Sequence, residues 1–133
     1  LDALVSDHTP VDADAKALPF AEAEPGATGL ELLWSLALKW GQDSGVDVAT
    51  VLSRITARPA QVLGTALSTL QGSVGQLAVG GAADVVVLSD QGHWPVTDAS
   101  LRSQGKSTPF SGYELPGRVL ATLVGGHIAF EAA

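Results

Sequence analysis

The chain has no cysteine in its 133 residues and only three histidines. Without thiols there is neither a disulfide framework nor a thiolate metal site, which suits a reducing compartment, and a cytoplasmic setting is the expectation. Basic residues are also scarce. Seven Lys and Arg stand against fourteen Asp and Glu, a formal net charge of -7. That balance opposes nonspecific attraction to phosphate backbones and anionic lipid surfaces, so neither nucleic acid nor membrane is an expected partner. No apolar run reaches the roughly 20 residues of a membrane-spanning helix, and no charged region precedes the apolar start at Leu1, so no signal peptide is expected there.

What is present is a chain 46% hydrophobic, rich enough in apolar residues to bury a core. Its length allows one modest core but falls short of a complete eight-stranded α/β barrel, which takes about 250 residues. Leu1 already lies in an apolar run with no turn or cap before it, so the chain is expected to be a piece of a longer fold.

Residues 1–6 are apolar and give way at once to Asp7-His8-Thr9-Pro10, a pattern that predicts a buried strand ending in a polar loop. Residues 11–26 sustain no period; Pro19, Pro25 and small or acidic residues predict a loop anchored into the core by Phe20. Thr28 and Glu31 have capping-box spacing, which predicts a helix beginning there. Its Leu30, Leu32, Leu33, Trp34, Leu36, Ala37, Leu38 and Trp40 are apolar nearly all round, so it should be deeply buried and end before Gly41. Asp47 predicts the cap of a second helix with Val48, Val51, Leu52 and Ile55 on one face, and residues 59–63 a helical turn closed by Gly64. Beyond about residue 70, glycine and β-branched residues take over. Residues 76–79, 83–88, 118–124 and 127–130 read as strands, with Gly125-Gly126 as a hairpin turn. Residues 90–117, with Pro95, Pro109 and Pro116, predict an extended polar excursion.

Asp7 and His8 are the first candidates for chemistry, because a carboxylate at a strand end can ligate a metal or accept a proton from metal-bound water. Spacing alone equally allows Asp7 to cap the turn before Pro10 and His8 to hydrogen-bond locally. Nothing in the spacing gives His93 or His127 a partner, so surface positions are expected for both. Trp34 and Trp40 read as core, Lys106 as a solvated lysine, and Asp12, Asp14, Glu22 and Glu24 as a solvated acidic loop without a calcium-site template.

Taken in order, Asp7-His8-Thr9-Pro10, Pro19-Phe20, Pro25-Gly26-Ala27-Thr28-Gly29-Leu30-Glu31 and Thr56-Ala57-Arg58-Pro59-Ala60 closely resemble dihydroorotases of the amidohydrolase superfamily. The resemblance continues through Gly75-Gln76-Leu77-Ala78-Val79-Gly80, Gly105-Lys106-Ser107-Thr108-Pro109-Phe110 and Gly117-Arg118-Val119 to Gly126-His127. It implies an α/β fold: the C-terminal part of a metal-dependent-hydrolase TIM barrel, with residues 1–6 as its last strand followed by closing helices, plus strands of a small β-sandwich domain. Residues 1–70 would belong to the barrel. Residues 71–133 would belong to the β domain, which an N-terminal part of the same protein would complete.

The same resemblance implies zinc-dependent interconversion of N-carbamoyl-aspartate and dihydroorotate in pyrimidine biosynthesis. Asp7 would be metal ligand and catalytic proton relay, and the backbone at Pro25 and Gly26 would contact substrate. One departure bears on activity. Active members generally read Asp-His-Ala/Ser-Pro-His, the last histidine binding the substrate carboxylate, and Val11 stands in its place. An isopropyl group donates no hydrogen bond, so an interaction worth roughly 1.5–3 kcal/mol with a charged partner is absent. The family's remaining ligands, a His-x-His pair, a bridging group and two further histidines, are not supplied by this chain, so no cofactor is expected within it alone. Val11 makes the chain most similar to dihydroorotase-like subunits that have lost catalysis and assemble with aspartate carbamoyltransferase. That enzyme and further copies of the same chain are the partners implied. An active zinc-dependent dihydroorotase with its ligands upstream is the alternative, and a plain assembly module is a third.

Overall fold

The structure, a computed structural model, describes residues 1–64, 74–75 and 77–132. In chain order it contains α1 (Ala13–Lys16), a 3-10 turn (Leu30–Leu32), α2 (Leu33–Ser44), α3 (Val48–Ile55), α4 (Ala57–Leu63), β1 (Val85–Pro95), β2 (Glu114–Val124) and β3 (His127–Glu131). The strands form one antiparallel sheet in the order β1-β2-β3. The boundary expected near residue 70 lies outside the described residues.

Local chemistry accounts for α3 and α4. Asp47 Oδ1 accepts the Thr50 amide at 3.0 Å and Oδ2 the Thr50 hydroxyl at 2.7 Å, so one side chain caps α3. Gly64 closes α4 as expected, although that helix begins earlier, at Ala57. Helix α2 runs through Gly41, where the spacing had ended it, and stops at Gly45 in the left-handed conformation. Gly41 persists inside the helix because a Cβ there would run into Val51 of α3. Its smallness is what lets the two helices close.

Two buried clusters flank α2. Trp34, Ala37, Leu38 and Val51 form one, with Leu4, Trp40, Ile55 and Leu88 packed around it. Leu32, Val96, Leu101 and Leu115 form the other, with Leu36, Trp94 and Phe110 against it. Each large side chain removed from water contributes about 1.5–3 kcal/mol, so α2 is the element on which most of the burial converges. Polar groups lock it to the sheet. The Trp34 indole donates to the Ser89 carbonyl at 3.0 Å; the Ser35 hydroxyl donates to the Gly117 carbonyl at 3.2 Å and accepts from the Trp94 indole at 3.0 Å.

Several expectations are corrected. Residues 1–6 form no strand: a strand exists through its ladder, and here the Leu4 amide donates to the Arg54 carbonyl with no strand alongside among the described residues. Leu1 and Val5 stay exposed. Phe20 is no anchor, being 99% exposed, because the Glu22 and Ala23 amides both bond the Pro19 carbonyl and place Phe20 in the resulting turn. Leu30 is exposed as well, so the helical region is not buried all round. Residues 77–79 are not a strand but run into a turn closed by the Gly81 amide on the Ala78 carbonyl; Gln76 lies outside the described residues. The polar excursion shrinks to residues 96–113. The reason is that β1 and β2 resume pairing beyond a break, with His93 opposite Pro116, Trp94 opposite Leu115 and Pro95 opposite Glu114. Prolines fit there because they lie at a strand end and beside a bulge. The hairpin at Gly125-Gly126 forms as expected.

Gly117 is the tightest point between α2 and the sheet. Its φ is +71°, and a Cβ would stand 2.7 Å from Leu38 Cδ2, 2.7 Å from the Ser89 carbonyl and 2.8 Å from the Trp34 indole nitrogen. Gly112 has φ +81° with open space around it. Urea unfolding of the protein carrying this chain should therefore separate packing from backbone strain. Gly117→Ala is expected to cost about 3 kcal/mol or more, and Gly112→Ala only about 1.

Candidate functional site

The chain folds residues 7–11 onto residues 25–30, and Asp7 sits at the crossing. Asp7 has φ +43°, the one non-glycine residue with positive φ among those described. Such a conformation costs about 1–2 kcal/mol for an L-residue and persists only where neighbours enforce it. They do. His8 Nδ1 accepts the amides of Gly29 and Leu30, both at 3.2 Å, and the Thr9 amide donates to the Ala27 carbonyl at 3.0 Å. An accepting Nδ1 carries no proton, which places the hydrogen of the neutral ring on Nε2. His8 thus does the local hydrogen bonding that spacing allowed. The Asp7 side chain is exposed and has no hydrogen-bond partner among the described residues.

Gly26 comes against the same segment. At φ +129° it holds a conformation that L side chains rarely adopt, and a Cβ would lie 2.5 Å from the Thr9 carbonyl oxygen and 2.9 Å from Val11 Cγ2. The glycine is demanded by the approach of residues 9–11. Pro25 beside it is exposed, and Val11 is buried. The expected site residues Asp7, Pro25 and Gly26 therefore belong to two segments in contact.

Thr28 and Glu31 do not form a capping box. Thr28 is buried, its hydroxyl donating to the Gly105 carbonyl and its amide to the Ser107 carbonyl at 2.8 Å. The Glu31 carboxylate accepts the amides of Arg102, at 2.5 Å, and Ser103, at 2.7 Å. The helix start has its amides satisfied by His8 instead, which frees both side chains for distant backbone. Burial opposes ionisation of Glu31, but the bonds from Arg102 and Ser103, with Lys106 nearby, outweigh it and hold the carboxyl below its ordinary value. Lys106 is not a free solvated lysine: its Nζ donates to the Leu101 carbonyl at 2.7 Å. Residues 101–107 thereby become a brace for residues 25–31. Sequence reasoning missed it because Thr28 and Glu31 carry a local capping signal, and nothing in their spacing points 70 residues ahead.

His93 and His127 are exposed, as are Asp12, Asp14, Glu22 and Glu24. Trp34 is buried and Trp40 half-buried, in line with core positions. Among the described residues no group of three or more His, Cys, Asp or Glu side chains is placed to hold a metal ion. Asp7 alone does not fit a zinc site, and no chemistry through a metal follows from the residues present.

No family model matches the chain. It is 45% identical over 129 residues to a dihydroorotase-like protein of Pseudomonas aeruginosa, covering 97% of this chain and 29% of that protein. It is 40% identical to a dihydroorotase-like protein of Pseudomonas putida, over 96% of this chain and 28% of that one. A dihydroorotase of Anaeromyxobacter dehalogenans is 37% identical over 98% of this chain and 29% of its own length. The chain belongs to the dihydroorotase family. It spans under a third of these relatives, matching their C-terminal part. Among solved structures, a D-hydantoinase from a Thermus species superposes with TM-score 0.82 at 25% identity, over 98% of this chain and 28% of that one. A dihydropyrimidinase from Brevibacillus agri gives TM-score 0.84 at 19% identity, over the same shares, and speaks for the fold alone. This dihydroorotase-family chain thus has the α/β fold of the corresponding part of amidohydrolase-superfamily hydantoinases. Among the described residues no helix is long and apolar enough to cross a membrane.

The depressed Glu31 carboxyl has a signed consequence. Its contribution to stability is present above the ordinary carboxylate range and is lost as pH falls through the lowered folded value. Glu31→Gln is expected to cost about 1 kcal/mol at neutral pH, allowing for solvent screening, and progressively less as the pH falls through the ordinary carboxylate range and below it. Chemical unfolding of both proteins across that range checks it.

Proposed function

We propose that the protein carrying this chain is a dihydroorotase-like subunit that has lost catalysis and serves as a structural partner of aspartate carbamoyltransferase in pyrimidine biosynthesis, in the cytoplasm. The observation that carries this reading is Val11. An apolar, buried side chain stands where dihydroorotases of this type place the histidine that grips the substrate carboxylate. A carboxylate brought to an apolar wall loses its hydration without a compensating donor, which is costly. The relatives named dihydroorotase-like, at 45% and 40% identity, are also nearer in sequence than the 37% identical dihydroorotase. In this reading residues 1–70 close an α/β barrel and residues 71–133 contribute to a small β domain completed by the N-terminal part of the protein. Assembly with further copies follows from the same role.

Asp7 favours a second reading. An exposed carboxylate held at φ +43° is the kind of strained residue that clusters at functional sites. It suits an active zinc-dependent dihydroorotase whose other ligands lie upstream, with Pro25 and Gly26 presenting backbone to substrate.

The two readings separate in the full-length protein. The proposal expects co-purification with aspartate carbamoyltransferase and no cyclisation of N-carbamoyl-aspartate with zinc added. Turnover comparable to that of ordinary dihydroorotases would overturn it.

A further inference from the structure

We propose that a pocket between the sheet and residues 100–102 binds a small organic anion, its carboxylate or phosphate held by Arg102 and Arg118 and its apolar body laid on Trp94, Val119 and Phe130. The proposal goes beyond the silent-subunit reading and does not rest on it, because the pocket shares no residue with Asp7, Val11, Pro25 or Gly26.

The pocket has a volume of about 430 Å³, the size of a small-molecule site. All three strands reach it: Trp94 comes from β1, Arg118 and Val119 from β2, and Phe130 from β3. Its charge is at odds with the rest of the chain. Arg102 and Arg118 are two of only four arginines in a sequence of net charge -7. Carboxylates are in ample supply, yet among the described residues neither arginine forms an ion pair, whereas Lys39 and Asp43 do at 3.0 Å. The carboxylate that lines the pocket, Glu31, is already engaged by the amides of Arg102 and Ser103. Two guanidinium groups are thus left to meet an anion from outside.

The lining is also set in advance. Arg102 is fixed at both ends, its amide on Glu31 and its guanidinium 5.5 Å from the centre of the Phe130 ring in a cation–π contact. The Trp94 indole is held by the Ser35 hydroxyl, which is itself held by the Gly117 carbonyl. A ligand therefore orders few side chains as it binds. Planar guanidinium groups match the paired oxygens of carboxylate and phosphate. Exposed cations alone would hold such a group weakly, since salt screens them, and the half-buried Trp94, Val119 and Phe130 supply the apolar surface that adds to their grip. The ligand class follows from needing both: an anionic group beside a compact ring or branched alkyl body.

Isothermal titration calorimetry on the full-length protein tests this with phenyl phosphate and benzoate as probes. Saturable one-to-one binding of at least one of them is expected. Inorganic phosphate and N-carbamoyl-aspartate, which bring charge without an apolar body, and benzyl alcohol, which brings the body without charge, should each bind at least about 10-fold more weakly. Arg102→Gln and Arg118→Gln should each weaken the aryl anion about 10-fold. No saturable binding of either probe up to about 10 mM, or binding that both variants leave unchanged, would overturn the site. Phenylglyoxal labelling of the unmodified protein, read at each arginine by peptide mass, decides without any variant. Arg102 and Arg118 should react and be protected by phenyl phosphate, while the exposed Arg58 reacts with or without it. If Arg58 reacts and the pair does not, the upstream part of the protein fills the pocket and the proposal fails. Dihydroorotase turnover in the same preparation would sink the silent-subunit reading alone.

Discussion

Glu31 and Thr28 spend their polar groups on the backbone of residues 102–107, and the arrangement of the candidate site depends on that attachment. Both stand at the start of a helical region, where side chains of this type ordinarily satisfy nearby amides. Here the imidazole of His8 takes two of those amides. The exchange ties three stretches distant in sequence into one unit: the 7–11 segment, the 25–31 loop and the 101–107 segment. A charged acceptor holding two amides is among the stronger hydrogen-bonding arrangements available at a half-buried position.

From that unit the rest of the packing can be followed outward. The 3-10 turn places Leu32 in one buried cluster and hands the chain to α2, whose Trp34 and Leu38 fill the other. Helix α2 then lies on the sheet at Gly117, where the lack of a Cβ lets the Ser35 hydroxyl reach the strand backbone. Loop, helix and sheet are successive contacts of one polypeptide, so a disturbance at Glu31 or Gly117 is felt along the whole series.

How much of this was legible depended on range. Asp47 and the Gly125-Gly126 turn act on residues next to them, and both could be read directly. Phe20 and residues 1–6 could not. Their apolar character speaks for burial, but burial needs a neighbouring surface, and the Pro19 turn leaves Phe20 facing solvent. The strand register past Ser89 was hidden by prolines that a sheet tolerates only at ends and bulges. At the candidate site, Asp7, Gly26 and Val11 were legible as positions through family resemblance. Their mutual contacts, and the part played by Thr28, Glu31 and Gly105, follow from long-range hydrogen bonds with no local signature.

Family membership and the proposed loss of function rest on neighbouring residues. Asp7 keeps its carboxylate on a strained backbone, while Val11, four residues on, is apolar and buried. On the proposed reading, selection for assembly keeps the residues that fold the loops, such as His8 and Gly26, and leaves those that only held substrate free to change. Titration calorimetry of N-carbamoyl-aspartate into the zinc-supplemented full-length protein tests this most directly. No saturable heat is expected up to millimolar ligand. Saturable one-to-one binding at micromolar concentration would contradict the loss of the carboxylate grip.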